Sequence, residues 1–311
     1  MNEVFNEIYF DPSHPASFGS AYSLYKAAKV RDKTVKLKDV KQWLSGQQSH
    51  ILHRKVNAKF QRRKTIAKDV GHFWQTDLAV FEGIARYNKG YKYILINIDV
   101  FSRKTYATPL KRKNAQSMVN AYRKLFKDQK PPINLQSDLG KEYWNAPLQK
   151  LFREHKVNFF SVHSDQKASI AERFIRSLKD RMFRYFTHKN TLNYVSVLPA
   201  LLKAYNNKGH RSLGGIAPNQ VNKFNRKDIW EFQYEGFVRS KPKKTKFKVG
   251  DKVVITKLRR TFRKGYLPKW TREKFVIVDR IRTVPPVWKL ADEKGEMIQG
   301  IFYDEELQKV S

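Results

Sequence analysis

His72-Phe-Trp-Gln-Thr-Asp-Leu-Ala-Val80 is an apolar run that reads as a β-strand with one carboxylate, Asp77, set inside it. Working outward, a second short strand, Ile133-Asn-Leu-Gln-Ser-Asp138, ends on another acid and is followed at once by Leu139-Gly140. A third acid, Glu172, falls near the start of a long helical pattern that begins around Ala168, with 33 residues between it and Asp138. Strand ends and a helix start are rigid places from which side chains can converge. Any one of these acids alone reads as an ordinary solvated residue. Three of them, in a chain this basic, point to carboxylates that hold a pair of divalent cations against a scissile phosphate.

The charge supports that reading. The formal net charge is +35 over 311 residues, with a pI near 10.2, an excess that implies a polyanionic partner such as DNA or RNA. With 41% hydrophobic and 14% aromatic residues, the chain has enough apolar side chains for real cores and is no disordered basic tail. The absence of cysteine excludes disulfides and thiolate zinc sites. Met1-Asn-Glu-Val-Phe-Asn-Glu7 is acidic and lacks an apolar core, so it is not read as a signal peptide, and no stretch approaches the length of a membrane span. The expectation is a soluble, intracellular protein without a membrane partner.

Five segments follow from texture. Residues 1–53 read as a small helical domain, with Leu24, Ala27 and Ala28 and then Leu37, Val40, Trp43 and Leu44 at helical spacing. It is read equally well as a DNA-binding helix-turn-helix or as a plain packing module. Residues 54–70 form a basic linker, with seven Lys or Arg and no acid from Arg54 to Lys68. Residues 71–225 alternate strands (around 91–101, 104–110, 133–138 and 157–162 after the first) with helices at 114–128, 146–155, 168–188 and 191–207, which predicts an α/β domain on a mixed five-stranded sheet. Residues 226–246 are expected to be a second basic linker. Residues 247–311 hold short strands with turn signals, which predicts a small β-barrel. From Arg239 to Arg272 there are fourteen Lys or Arg and one acid, Asp251. A solvated surface ordinarily mixes its signs, so this block, with Arg259 and Arg260 inside it, is expected to lie on nucleic acid.

Four segments carry a family resemblance: Phe73-Trp-Gln-Thr-Asp-Leu78, Ile98-Asp-Val-Phe-Ser-Arg103, Leu135-Gln-Ser-Asp-Leu-Gly-Lys-Glu-Tyr143 and Lys167-Ala-Ser-Ile-Ala-Glu-Arg-Phe174. They resemble the retroviral-type integrase core, most closely the integrases of Maverick/Polinton elements and virophages. Tyr185-Phe-Thr187, Tyr205-Asn-Asn207 and His210-Arg-Ser212 extend the likeness, as does the tail from Phe247-Lys-Val-Gly-Asp251 to Val310. The resemblance implies an RNase H-like core followed by an SH3-like barrel. It also implies that Asp77, Asp138 and Glu172 are the catalytic and metal-holding residues, with Mg²⁺ or Mn²⁺ as cofactor, two ions to a site. Retroviral relatives open with a zinc-binding His/Cys domain. Without cysteine, this N-terminal unit is expected to fold without zinc. Ile175 stands where many relatives carry a polar residue.

The residues of the helix also speak for themselves. Glu172, Arg176 and Lys179 share one face at i, i+4 and i+7, while Phe174, Leu178, Met182 and Tyr185 mark an apolar one. Lys167, Arg176 and Lys179 are therefore expected to contact DNA. Asp99 is read as a cap on the turn Phe101-Ser-Arg103 rather than as a fourth metal ligand. Together these expectations describe a mobile-element DNA integrase that trims element ends and joins them to target DNA. It would work as a dimer or tetramer, in the nucleus of a eukaryotic host or on viral DNA. The alternatives are an RNase H-class nuclease without strand transfer and a non-enzymatic DNA-binding protein derived from such an element.

Overall fold

A computed structural model describes residues 1–56, 60–161, 169–239, 245–257 and 267–310. The chain forms two compact units, Lys64–Ser240 and Met1–Arg63 with Lys241–Ser311. Four helices begin the chain: α1 (Asn2–Phe10), α2 (Ala21–Arg31), α3 (Leu37–Gly46) and α4 (Gln48–His53). Ser20 caps α2 by accepting from Ser23 N, and the helices close on Phe5, Ile8, Tyr9, Leu24, Val40 and Leu44.

The larger unit contains β1 (Phe73–Val80), β2 (Tyr93–Asp99), β3 (Thr105–Leu110), α5 (Ala115–Asp128), β4 (Asn134–Ser137), α6 (Ala146–Glu154), β5 (Asn158–Ser161), α7 (Ser169–Lys189), α8 (Leu198–Asn206) and α9 (Arg226–Trp230). The strands lie in the order β3-β2-β1-β4-β5. β1, β2 and β3 pair antiparallel, and β4 joins β1 and β5 in parallel. This is the expected mixed five-stranded sheet. Its two faces follow from the two-residue period of a strand. Ile94, Ile96 and Ile98 of β2 pack with Phe174, Leu178 and Met182 of α7. Tyr93 and Leu95, pointing the other way, pack with Met118, Tyr122 and Leu125 of α5 and with Leu148 and Phe152 of α6. All seven residues of β2 are buried, as expected of a central strand covered by helices on both sides.

Capping sets several boundaries. Asn114 accepts from Ser117 N at the start of α5, the cap expected of it, and Asn145 accepts from Leu148 N at the start of α6. The helix expected over 191–207 begins only at Leu198, with Pro199 in its first turn. The buried Asn88 holds the preceding loop: its Oδ1 accepts from Tyr194 N (2.7 Å) and Val195 N (3.2 Å), and its Nδ2 donates to Leu192 O (2.8 Å). Those bonds occupy backbone groups that a continuous helix would use.

The segment 226–246, expected as a linker, is helical through residue 238. Ile229 and Tyr234 are buried in the core of the larger unit, and the Tyr234 hydroxyl accepts from Ala67 N (3.4 Å). Two apolar anchors outweigh the charges around them, because burial acts per side chain and not on average composition.

The second sheet belongs to the other unit. Its strands β6 (Lys252–Ile255), β7 (Phe275–Ile281), β8 (Val287–Ala291), β9 (Phe302–Tyr303) and β10 (Leu307–Lys309) run antiparallel in the order β10-β6-β7-β8-β9. They enclose Val253, Phe275, Ile277, Trp288 and Leu290. Ile51 and Leu52 of α4 pack against Val254, Trp270 and Val310, and Trp270 Nε1 donates to Arg54 O (3.0 Å). The N-terminal helices and this sheet thus share one unit across the whole length of the chain.

Candidate active site

Asp77 stands in β1 opposite Ile96. Parallel pairing of β1 with β4 aligns Gln75 with Gln136. Asp77 and Asp138 therefore follow that row by two residues each, at the same end of the sheet. The two-residue period puts both on the face that carries α7, because Trp74 and Leu135, one residue before the glutamines, pack into the opposite core. Glu172 is exposed in the first turn of α7, where Ile170 and Ala171 are buried against that same face.

One side chain ties the three elements together. Gln75 is buried, and its Nε2 donates to Gln136 Oε1 (3.0 Å). Its Oε1 accepts from Ile170 N (2.9 Å) and Ala171 N (3.3 Å), two amides of the first turn of α7. Those amides have no partner within their own helix, so a buried acceptor on β1 both satisfies them and fixes where the helix begins. Gln75, Gln136 and Ile170 each precede an acid by two residues. The amide network is thus a clamp set just behind Asp77, Asp138 and Glu172.

Beneath the two aspartates lies a buried hydroxyl group of side chains. Tyr122 OH donates to Thr76 Oγ1 (3.0 Å), which itself donates to Ile96 O (2.9 Å), with Tyr143 OH 3.5 Å from the same Oγ1. Burial pushes the Tyr143 hydroxyl well above its ordinary pKa, and Tyr122 and the negative charges of Asp77 and Asp138 push it further. Both aspartates therefore lie within electrostatic reach of one phenol.

Three carboxylates are an oxygen-only donor set of the kind that suits Mg²⁺ or Mn²⁺. Two of them also bond locally: Asp77 Oδ1 accepts from Leu78 N (2.8 Å) and Asp138 Oδ1 from Gly140 N (3.1 Å). Among the described residues, no three His, Cys, Asp or Glu side chains converge closely enough to share an ion. The backbone therefore brings the three acids to one face and one end, while their carboxylates are not gathered on a common point. The donor chemistry suits a divalent ion, while the carboxylates as placed do not share one.

Asp99 has a different role, the one expected of it. It is buried, and its Oδ1 accepts from Ser102 N (2.6 Å) and Ser102 Oγ (2.9 Å). Its Oδ2 accepts from Gly71 N (2.6 Å) and Trp74 Nε1 (3.0 Å). Burial raises its pKa and these four donors oppose the rise.

Of the residues expected to touch DNA, Arg176 is exposed on α7, and Lys179 is half-buried with its Nζ 5.3 Å from the centre of the Phe81 ring. Lys167, Arg259 and Arg260 lie outside the described residues. Sequence reading passed over Gln75, Gln136 and Tyr143. The available signal was spacing, since a glutamine two residues before an acid on a strand shares its face.

Residues 67–163 match the integrase core domain. That stretch holds β1 to β5, with Asp77 and Asp138, and stops short of α7. An uncharacterised transposon-derived protein of Caenorhabditis elegans is 34% identical over 190 residues, which is 61% of this chain and 63% of that protein. The chain thus matches less than two thirds of that relative's length. The simian T-cell lymphotropic virus intasome, solved by cryo-electron microscopy with the PP2A regulatory subunit B56 gamma, aligns over 92% of this chain and 95% of its own, with a TM-score of 0.60. At 13% identity this is a likeness of fold. The HTLV-2 integrase catalytic core domain, solved with magnesium, aligns over 50% of this chain and 99% of its own, with a TM-score of 0.43 and 16% identity. Over residues 67–163, then, the chain is similar to the integrase core domain, and its fold is like that of the intasome chain.

Proposed function

We propose that this protein is a DNA integrase of a mobile element, of the Maverick/Polinton type, that cuts near the 3′ ends of its element and joins them to target DNA. The observation that carries the proposal is the clamp at Gln75, which holds the three acid-bearing elements two residues behind Asp77, Asp138 and Glu172. These three acids would hold Mg²⁺ or Mn²⁺, exchanging the local bonds of Asp77 and Asp138 for metal ligation. Such ions polarise a scissile phosphate and favour an attacking oxygen. The protein's own part is to hold three carboxylates at one sheet end and to present Arg176 beside Glu172 for the DNA backbone. The same site would serve water in end cutting and a freed 3′-hydroxyl in joining, with no covalent enzyme intermediate. Joining two ends calls for two such sites, hence a homo-oligomer. The net charge of +35 supports a DNA partner.

The test uses the full chain with Mg²⁺ and linear duplexes bearing the element's own termini. Cutting near the 3′ end and joined products are expected from the unaltered protein. Both should fall together in Glu172→Gln and Asp77→Asn while DNA binding persists. Cutting that survives in both variants would overturn the site. Cutting of an RNA–DNA hybrid without any joining of DNA would mark a ribonuclease instead.

A further inference from the structure

A concave site lies on the neighbouring side of α7, within the same unit. It is a cavity of about 400 Å³ lined by Arg103, Arg173, Arg181, Lys208, His210 and Arg211, and no Asp or Glu is among its lining residues. Its volume falls in the range of small-molecule clefts. Arg173 and Arg181 come from α7, two turns apart on one face. Lys208, His210 and Arg211 come from the loop after α8.

Arg103 is the most constrained member. It sits at φ 62, the left-handed region that disfavours a non-glycine residue. The turn is held by Asp99, whose backbone oxygen accepts from Arg103 N (2.9 Å) and whose side chain binds Ser102. The Arg103 guanidinium donates weakly to Ser212 Oγ (3.4 Å) and to Gln233 Oε1 (3.3 Å), and its Nη1 is buried with no hydrogen-bond partner. A buried cationic donor left unpaired is costly and calls for an acceptor. Burial lowers the Arg103 pKa against the opposing Tyr234, with Arg173 adding to the fall, and burial followed by Arg103, Lys208 and Arg181 lowers that of His210 against the opposing Tyr205 carbonyl bond. Burial is the leading cause of both shifts, and neighbouring positive charge adds to it.

Guanidinium groups pair two donors at a time with two oxygens of one acceptor. A single carboxylate would use one such fork, whereas four arginines and a lysine call for several oxygens and more than one negative charge. We propose that this cavity is a phosphoryl-binding site that takes two or more phosphate groups at once. They could come from consecutive phosphates of a nucleic-acid strand or from a small polyphosphorylated molecule. The assignment stands on the cavity itself and does not depend on the integrase reading.

The experiment is calorimetric titration of the full chain, without divalent cations and at constant ionic strength. The probes are tripolyphosphate, a ten-nucleotide single-stranded DNA, and citrate as a non-phosphate trianion. The cavity variant is Arg181→Gln with Lys208→Gln, which leaves the Arg103 turn intact. The control is Lys124→Gln with Lys127→Gln, which removes the same charge from the exposed side of α5. Tripolyphosphate should bind more tightly than citrate, and the cavity pair should weaken it by tenfold or more against less than about twofold for the control. An equal loss for the oligonucleotide assigns the site to a strand, and a loss confined to tripolyphosphate assigns it to a small molecule. Glu172→Gln should leave tripolyphosphate binding unchanged, which separates this site from the carboxylate site. Equal losses in the two double variants, or none for either phosphate probe, would overturn the proposal. So would citrate binding as tightly as tripolyphosphate.

Discussion

The paired strands β1 and β2 carry an aspartate towards each end, and the two have opposite surroundings. Asp99, opposite Trp74, is buried and receives four hydrogen bonds from Ser102, Gly71 and Trp74. Asp77, opposite Ile96, is only half-buried and stands on the same face and at the same end as Asp138, with the first turn of α7 close by. Three rows of the ladder, about 10 Å, separate them. The contrast teaches that a carboxylate in a strand is defined by the donors that meet it. Where backbone and side-chain donors fill its oxygens, it is part of the framework. Asp77, half-buried at the sheet end that also carries Asp138, is the one proposed to take an ion from solution.

The largest effect should come from breaking the Asp77 end. Asp77→Asn or Glu172→Gln should reduce end cutting and joining beyond the roughly 10–100-fold typical of losing an outer partner of a metal site. The melting temperature should hold or rise, because carboxylates that repel one another are reduced in number. Unchanged turnover in both variants would remove the distinction between the two ends.

Asp99→Asn should do the reverse. Its amide would turn a donor towards Gly71 N and Trp74 Nε1, or towards Ser102, and stability should fall by about 3 kcal/mol in urea unfolding. Activity per folded molecule should stay near that of the unaltered protein. A stable Asp99→Asn protein with lost activity would mean that Asp99 belongs to the chemistry after all.

An intermediate effect is expected at the clamp. Gln75→Leu should cost about 10–100-fold in cutting, because the start of α7 loses its fixed acceptor and Glu172 its placement. Gln75→Glu should recover most of that, since a carboxylate still accepts from Ile170 N and Ala171 N and is favoured at a helix N-terminus. Equal loss in both variants would show that Gln75 acts by bulk alone.

The smallest effect is thermodynamic. At ten times its dissociation constant, Mg²⁺ should stabilise the folded protein by about 1.4 kcal/mol through linkage. Differential scanning calorimetry should detect this in the unaltered chain and in Asp99→Asn, but not after Asp77→Asn with Asp138→Asn. A shift that survives the double change would place the ions elsewhere.

Much of this was legible in the order of residues. The apolar run Tyr93-Ile-Leu-Ile-Asn-Ile-Asp99, the cap at Asn114 and the apolar stripe of Phe174, Leu178 and Met182 are local signals, which depend on neighbours in the chain. They determined the mixed sheet, its helices and the acids worth watching. The charge of +35 determined the class of partner to expect. Tertiary structure alone decided the rest. Ile229 and Tyr234 turned an expected linker into part of a core, Ile51 and Leu52 met Trp270, and Asn88 delayed the start of a helix from more than a hundred residues away. Gln75 became a clamp and Arg103 a half-buried cation lining a cavity for the same reason. Such roles are set by which groups burial brings together, and a buried polar atom takes whatever partner the fold supplies, however distant in sequence.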